Sequence, residues 1–282
     1  MINTIDKSKR LLGESPIWDE RLQALYFVDI LEKKLFCYFD SEGRIEQHDF
    51  SEYLSSIALQ QDAGRILLAL ESGIYDYHLA DRKMTFFTQP ESKENYRFND
   101  GKVDAEGNWL LGSMNNINNG PQATHLPDAS LYIIKGKQVR VLIDGVTISN
   151  GIAFHGEHLY YIDSKLQNLR RFRYQNRTLS EEEVVYQFHG QDMPDGMTLS
   201  KSGKLYIAIW GGKRIDVWDI HRQALERSID LPCLNPTSCT FGGKDLNELF
   251  ITCSSLGDEN PELSGLYSIR LQDEGLPENK IC

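Results

Sequence analysis

Asn150-Gly151-Ile152 and Asp195-Gly196-Met197 are two copies of one pattern, an amide or carboxylate followed by glycine and a hydrophobe, and Asp100-Gly101 is a third relative. Each opens a segment in which apolar and polar residues alternate. Three more such segments open at Glu14, Ser56 and Ser238 without the glycine. Successive openings lie 42, 44, 50, 45 and 43 residues apart, an interval expected of one blade repeated around an axis. Six units of 47 residues account for all 282 positions. In equivalent blades the opening residues take the same place, so Glu14, Asn150 and Asp195 converge near the axis although they are far apart in the chain.

Beyond each opening comes a run rich in β-branched and aromatic residues, at 24–28, 65–70, 108–112, 158–162, 204–208 and 248–252. Polar turns such as Asp62-Ala63-Gly64 and Lys201-Ser202-Gly203 separate opening and run, which reads as a hairpin with the opening strand innermost. Third strands follow at 34–39, 73–77, 130–134, 169–174, 214–218 and 265–269. Fourth strands are weaker, and residues 49–53 and 180–183 are compatible with short helical turns. The reading is an all-β, six-bladed β-propeller of four-stranded antiparallel blades around a central channel, one domain over residues 1–282. A two-sheet sandwich has no reason to repeat an opening residue at near-constant spacing. The segment 2–12 is the piece available to close the ring.

A formal charge of −11 opposes a nucleic-acid surface, which needs massed Lys and Arg. The clusters Lys7-Ser8-Lys9-Arg10 and Arg170-Arg171-Phe172-Arg173 read as solvated strand edges. The polar first ten residues lack the apolar core of a secretory signal, and no run reaches the length of a membrane span. Five cysteines without a CxxC spacing suit a reducing compartment. A cytoplasmic protein, monomeric or weakly dimeric, with a small-molecule substrate is expected, and neither nucleic acid nor membrane as partner.

Glu14, Asn150 and Asp195 offer two carboxylates and an amide carbonyl, hard oxygen donors that suit Ca²⁺, Mg²⁺ or Mn²⁺. Without a cation the two carboxylates repel, and one takes up a proton. The competing reading is that Asn-Gly and Asp-Gly are turn residues that cap strands. Ser15-Pro16 and Pro194 restrict the backbone beside the candidate ligands. There is no Gly-x-Ser-x-Gly elbow and no HExxH spacing.

The strings Gly13-Glu14-Ser15-Pro16, Arg97-Phe98-Asn99-Asp100-Gly101-Lys102, Ser149-Asn150-Gly151, Pro194-Asp195-Gly196-Met197 and 237–243 resemble, in order and spacing, those of the senescence marker protein/gluconolactonase (regucalcin-like) family. The resemblance implies a propeller that opens sugar lactones such as gluconolactone with one divalent metal ion, Ca²⁺, Zn²⁺, Mn²⁺ or Mg²⁺, held by Glu14, Asn150 and Asp195. It further implies Asp195 as general base and acid, and Arg97 and Asn99 as the groups that hold substrate hydroxyls and ring oxygen. Asp100 is expected to orient neighbours such as Lys102. One departure stands out: the offset of a further substrate-binding glutamate falls on Ile117, where Asn116 or Asn118 could stand in. Two other functions fit the same channel, a calcium-binding module without catalysis and an esterase or organophosphate hydrolase.

Overall fold

The alternation read at each opening becomes the innermost strand of a four-stranded antiparallel sheet. A computed structural model of the chain describes residues 1–116, 126–191 and 193–281, and Ile117 and Asn118 lie outside them. The first strand, β1 (Ile2–Asp6), belongs to the last sheet. The first sheet is β2 (Gly13–Asp19), β3 (Ala24–Asp29), β4 (Lys34–Phe39) and β5 (Arg44–Asp49), and the second is β6 (Leu54–Leu59), β7 (Arg65–Leu70), β8 (Gly73–His78) and β9 (Met84–Thr88). The third is β10 (Tyr96–Val103), β11 (Trp109–Asn115), β12 (Ala129–Lys135) and β13 (Gln138–Val146), and the fourth is β14 (Ser149–His155), β15 (His158–Asp163), β16 (Asn168–Gln175) and β17 (Thr178–Gln187). The fifth is β18 (Met193–Leu199), β19 (Lys204–Trp210), β20 (Arg214–Asp219) and β21 (Ala224–Asp230). The sixth is β22 (Asn235–Gly242), β23 (Glu248–Ser254) and β24 (Leu266–Arg270), completed by β1. Six such blades make the six-bladed propeller.

Closure is by the N-terminal segment, as expected: β1 runs antiparallel to β24, with Ile2 opposite Ile269 and Thr4 opposite Tyr267. Both ends of the chain therefore hold one sheet, so the ring has no free edge between its first and last blades. The weak fourth strands are the exposed outer rim. Residues 180–183 are strand, not helical turn, and lie within β17. Their acidic run is matched across the ladder, where Arg170 pairs with Glu182, Arg171 with Glu183 and Arg173 with Glu181. Arg171 and Glu183 are directly opposite, the other pairs are diagonal, and opposite charges facing across the ladder favour the pleat over a helix.

The hydrophobic clusters lie between successive blades, where alternate side chains of neighbouring sheets meet. Trp18 stacks on Phe250 at 5.5 Å and Tyr206 meets Phe241 edge-on at 5.1 Å, contacts that join neighbouring blades. Each large side chain buried in this way stabilises the fold by about 1.5–3 kcal/mol. Cys37, Cys233, Cys239 and Cys253 are free and buried. The basic clusters are less solvated than their composition implies. Arg10 is buried with its guanidinium 4.1 Å over Phe36 and paired to Asp6, and Arg170 lies 5.1 Å over Tyr161. Among the described residues, no helix is long and apolar enough to cross a membrane.

Candidate active site

Each of the six innermost strands carries a β-bulge at the same end of the channel. Glu14 opposes Val28 but Ile17 opposes Tyr26; Leu54 and Ser56 oppose Leu70 and Ala69; Phe98 and Gly101 oppose Ser113 and Leu111. Asn150 and Ile152, Pro194 and Met197, and Pro236 and Ser238 repeat the shift in the remaining blades. One extra residue per strand twists the backbone and re-aims the side chains around it. The opening residues cluster at these bulges without being strictly equivalent. Glu14 and Asn150 precede the bulge, Asp100 and Asp195 lie in it, and Ser56 and Ser238 follow it. Ser15, within the first bulge, holds φ at 46°, a left-handed conformation that costs a non-glycine residue about 1–3 kcal/mol.

The glycines of the motif are not turn residues. Gly101, Gly151 and Gly196 lie inside β10, β14 and β18 and none has a positive φ. What they provide is clearance between inner strands. A Cβ at Gly196 would stand 2.2 Å from Ser238 Oγ, one at Gly151 2.8 Å from the Asp195 carbonyl oxygen, and one at Gly101 3.0 Å from Ser56 Oγ. Each contact reaches the inner strand of a neighbouring blade. The strands thus converge closely enough for side chains from several blades to share one site.

All five expected site residues, Glu14, Arg97, Asn99, Asn150 and Asp195, are buried, and hydrogen bonds or charge link them. Arg97 Nη1 donates to Asn99 Oδ1 at 2.6 Å and to the Phe98 carbonyl at 2.9 Å. Asn99 Nδ2 donates in turn to Asn150 Oδ1 at 2.9 Å and to the Ser149 carbonyl at 2.8 Å. Asn150 Nδ2 donates to Ser164 Oγ at 2.8 Å, and that hydroxyl donates to the Pro194 carbonyl at 2.7 Å, beside Asp195. Glu14 Oε2 accepts from the Ser15 N–H at 2.8 Å.

Charge is poorly balanced at this site. Burial, then the charge of Asp100, pushes the Glu14 carboxyl up to about 8, against the Ser15 N–H and Arg97. Burial, then Glu14 and Asp100, holds Asp195 well above the usual carboxylate range. Arg97 is lowered to about 10 by burial, although Glu14, Tyr53, Glu71 and Asp195 act to hold its charge. Among the described residues, no Lys, Arg or His stands within ion-pair distance of Glu14, Asp100 or Asp195. Nor do three His, Cys, Asp or Glu side chains form a metal cage there. The donor set is two carboxylates and an amide oxygen. Buried, oxygen-only and short of positive charge, it fits a hard divalent cation better than it fits an empty apolar pore.

Asp100 does less for Lys102 than expected. Its Oδ1 accepts from the Gly101 N–H at 2.7 Å, while Lys102 Nζ donates to Glu278 Oε1 at 2.7 Å. Glu278 comes from the segment after β24, which pairs in passing with Ser200 and Gln60 through Gly275 and Ile281. Asn279 Nδ2 also donates to the Val103 carbonyl at 3.1 Å. This segment crosses the end of the channel opposite the bulges. It lies outside the blade repeat, so repeat spacing carried no signal for it.

A family model described as SMP-30/gluconolactonase/LRE-like region matches residues 12–255. The chain belongs to this family. Among its relatives, a Bacillus subtilis (strain 168) protein provisionally named sugar lactone lactonase YvrE is 34% identical over 283 residues, 95% of this chain and 94% of that one. Regucalcin of Bos taurus is 33% identical over 280 residues, 94% of this chain and 93% of its own. A solved structure of a luciferin-regenerating enzyme superposes with a TM-score of 0.93 at 28% identity and covers 100% of this chain and 99% of that one. Relatives in this family thus match the chain over nearly its whole length.

Proposed function

We propose that the protein is a lactone hydrolase that opens sugar lactones to their acids, with a divalent cation held by Glu14, Asn150 and Asp195. One observation carries this reading. Two buried carboxylates that form no ion pair with a described residue share a site with an amide oxygen turned by its neighbours and with a guanidinium and an amide, Arg97 and Asn99, that a purely structural ion would not need. The name of the B. subtilis relative, a sugar lactone lactonase, supports the same substrate class. The whole chain acts as one catalytic domain, because β1 and the segment after β24 both belong to the ring.

Opening a lactone adds water across the acyl C–O bond: hydroxide joins the carbonyl carbon, the ring C–O bond breaks and a proton passes to the ring oxygen. When bound, a divalent cation polarises the carbonyl and stabilises the oxyanion that develops there. Asp195, ionised in that state, takes the proton from the attacking water and returns it to the departing ring oxygen. Arg97 offers fixed positive charge and Asn99 a directed amide to the substrate's oxygens. Burial of all five groups keeps bulk water from weakening these interactions.

Protein stripped with chelator and resupplied with Ca²⁺, Zn²⁺, Mn²⁺ or Mg²⁺ is tested for acid release from a panel of aldonolactones. Activity should require the cation and fall by at least about a hundredfold in Asp195→Asn or Glu14→Gln, the scale lost with a key electrostatic group. Undiminished turnover in Asp195→Asn removes the base from the scheme. A protein that binds Ca²⁺ and opens no lactone is a binding module instead.

A further inference from the structure

At the mouth of the channel the second blade presents an acidic side chain that the site above leaves unused. The bulge register gives the comparison. One step before the bulge, Gly13 pairs with Asp29 in the first blade and Ser149 with Asp163 in the fourth. In the second blade the same step places Tyr53 opposite Glu71, whose N–H donates to the Tyr53 carbonyl at 3.1 Å. In the third it places Arg97 opposite Met114. Tyr53 is therefore the positional counterpart of Arg97 on the adjoining inner strand, and Gly101 beside Ser56 shows how closely those two strands approach.

Asp29 and Asp163 are consumed as loop clamps. Asp29 accepts from the N–H groups of Leu11 and Leu12 at 2.7 and 3.1 Å, and Asp163 from those of Thr147 and Ile148 at 2.8 and 3.0 Å. Both are buried. Glu71 differs in each respect. It is longer by one methylene and only half-buried. Among the described residues its one hydrogen bond from the loop is long, 3.3 Å from the Tyr53 N–H to Oε2. Among the described residues Oε1 has no partner. Aspartate makes the clamp in the first and fourth blades by accepting two loop N–H groups, and the glutamate, one methylene longer, makes only this single long bond to the loop among the described residues. Tyr53 in turn is held by packing against the core of the first two blades, with Lys33 Nζ 5.2 Å over its ring. The negative charge of Glu71 acts on Arg97, so the two side chains lie within reach of each other's field.

We infer that Glu71 is a specificity-determining residue, its Oε1 accepting a hydrogen bond from a hydroxyl of a polyhydroxylated substrate whose lactone group lies at Arg97 and Asp195. The inference rests on the proposed sugar-lactonase reading and assigns one residue to recognition of the substrate's hydroxyls. A carboxylate suits this task because it only accepts, so it takes a hydrogen bond from a substrate hydroxyl where Arg97 and Asn99 offer donors to substrate oxygens. Loss of such a charge-assisted bond weakens transition-state binding by roughly tenfold to a hundredfold.

Glu71→Asp is the discriminating variant, since it recreates the clamp of the first and fourth blades while withdrawing the carboxylate from the mouth. The readout is the ratio of kcat/KM for gluconolactone, which carries ring hydroxyls, to that for δ-valerolactone, which carries none. Glu71→Asp and Glu71→Ala should lower this ratio about tenfold or more, through KM for gluconolactone, with Tm of Glu71→Asp close to wild type. An unchanged ratio in Glu71→Asp overturns the inference and leaves Glu71 a loop clamp. If the wild type opens neither lactone, the lactonase reading fails by itself, and Glu71 is judged by calorimetric binding of the open-chain polyol glucitol. Weaker binding in Glu71→Asp by about tenfold upholds the hydroxyl contact, whereas equal binding, or none to the wild type, overturns it.

Discussion

Asn99 and Asn150, 51 positions apart, share a hydrogen bond of 2.9 Å in which Asn99 donates and the Asn150 amide oxygen accepts. That bond sets the direction of Oδ1, and Ser164 secures it from behind by accepting from Nδ2 at 2.8 Å. Ser164 begins the short 3₁₀ turn after β15, where Asp163 caps the turn by accepting from the Lys165 N–H. The side chain of a proposed ligand is thus oriented by two neutral residues, Asn99 in front and Ser164 behind.

Ser164→Ala should accordingly leave Asn150 Nδ2 buried without its acceptor and let the amide turn. Such an unmade bond costs about 1–3 kcal/mol, and cation affinity should weaken by roughly tenfold to a hundredfold. Calorimetric titration of Ca²⁺ or Mn²⁺ into wild type and variant reads the second effect separately from stability. Equal affinities would show that Ser164 braces the backbone alone.

The glycine of Asp195-Gly196 makes a different demand. A methyl group there meets Ser238 Oγ at 2.2 Å and Ser238 Cβ at 2.5 Å. Gly196→Ala should destabilise the fold by about 1–3 kcal/mol, the usual cost of overpacking, and lower Tm by several degrees. Pairing it with Ser238→Gly removes both offending atoms and should recover most of the loss. Thermal unfolding of the two single variants and the double variant decides the matter, and simple additivity would mean that the strands do not approach each other as described.

The openings were legible because a bulge at the mouth of every inner strand demands unusual residues at one point per blade, and those residues recur at blade spacing. Their glycines were read correctly as signals but for an ambiguous reason, since a turn and a close strand approach both call for glycine and only the three-dimensional neighbours separate them. The outer strands were faint because they are exposed, and residues 180–183 imitated a helix because three consecutive glutamates follow a serine whatever the backbone does. Glu278 was invisible. It belongs to no repeat, and its partner Lys102 is 176 positions away and sits beside Asp100 in the chain, so no local pattern links the two.

That pairing has its own consequence. Glu278 is buried, and Lys102 Nζ and Thr240 Oγ1 both donate to its Oε1, at 2.7 and 3.3 Å. Removing one member leaves the other partly buried and uncompensated, so Glu278→Met or Lys102→Met should each lose about 2 kcal/mol, below the full cost for a deeply buried pair because Lys102 keeps some solvent contact. The double variant Lys102→Met with Glu278→Met should be more stable than the sum of single losses predicts. Denaturant unfolding of all four proteins measures that coupling, and a coupling near zero would show the terminal segment to be held by its backbone contacts alone.

Proton binding at the mouth ties stability to pH and to the cation. Glu14 rises from 4.5 in the unfolded chain to about 8 in the folded protein, chiefly by burial, and Asp100 from 3.8 to about 6 for the same reason. Between these values the native protein keeps protons that the unfolded chain has released, so the metal-free fold is favoured at low pH and loses that advantage as pH climbs through about 8. A divalent cation held by Glu14 and Asp195, as proposed, should reverse the dependence, because it would need both carboxylates ionised and would displace their protons on binding. The stabilisation by excess Ca²⁺ or Mn²⁺ over chelator should therefore be small near pH 5 and reach roughly 5–10 °C in Tm near pH 8, as a ligand at about a hundred times its Kd provides. Glu14→Gln, which keeps the shape and removes the titration, should flatten both the pH dependence and the response to cation. A cation shift of the same size at both pH values would mean that the ion binds elsewhere than at these carboxylates.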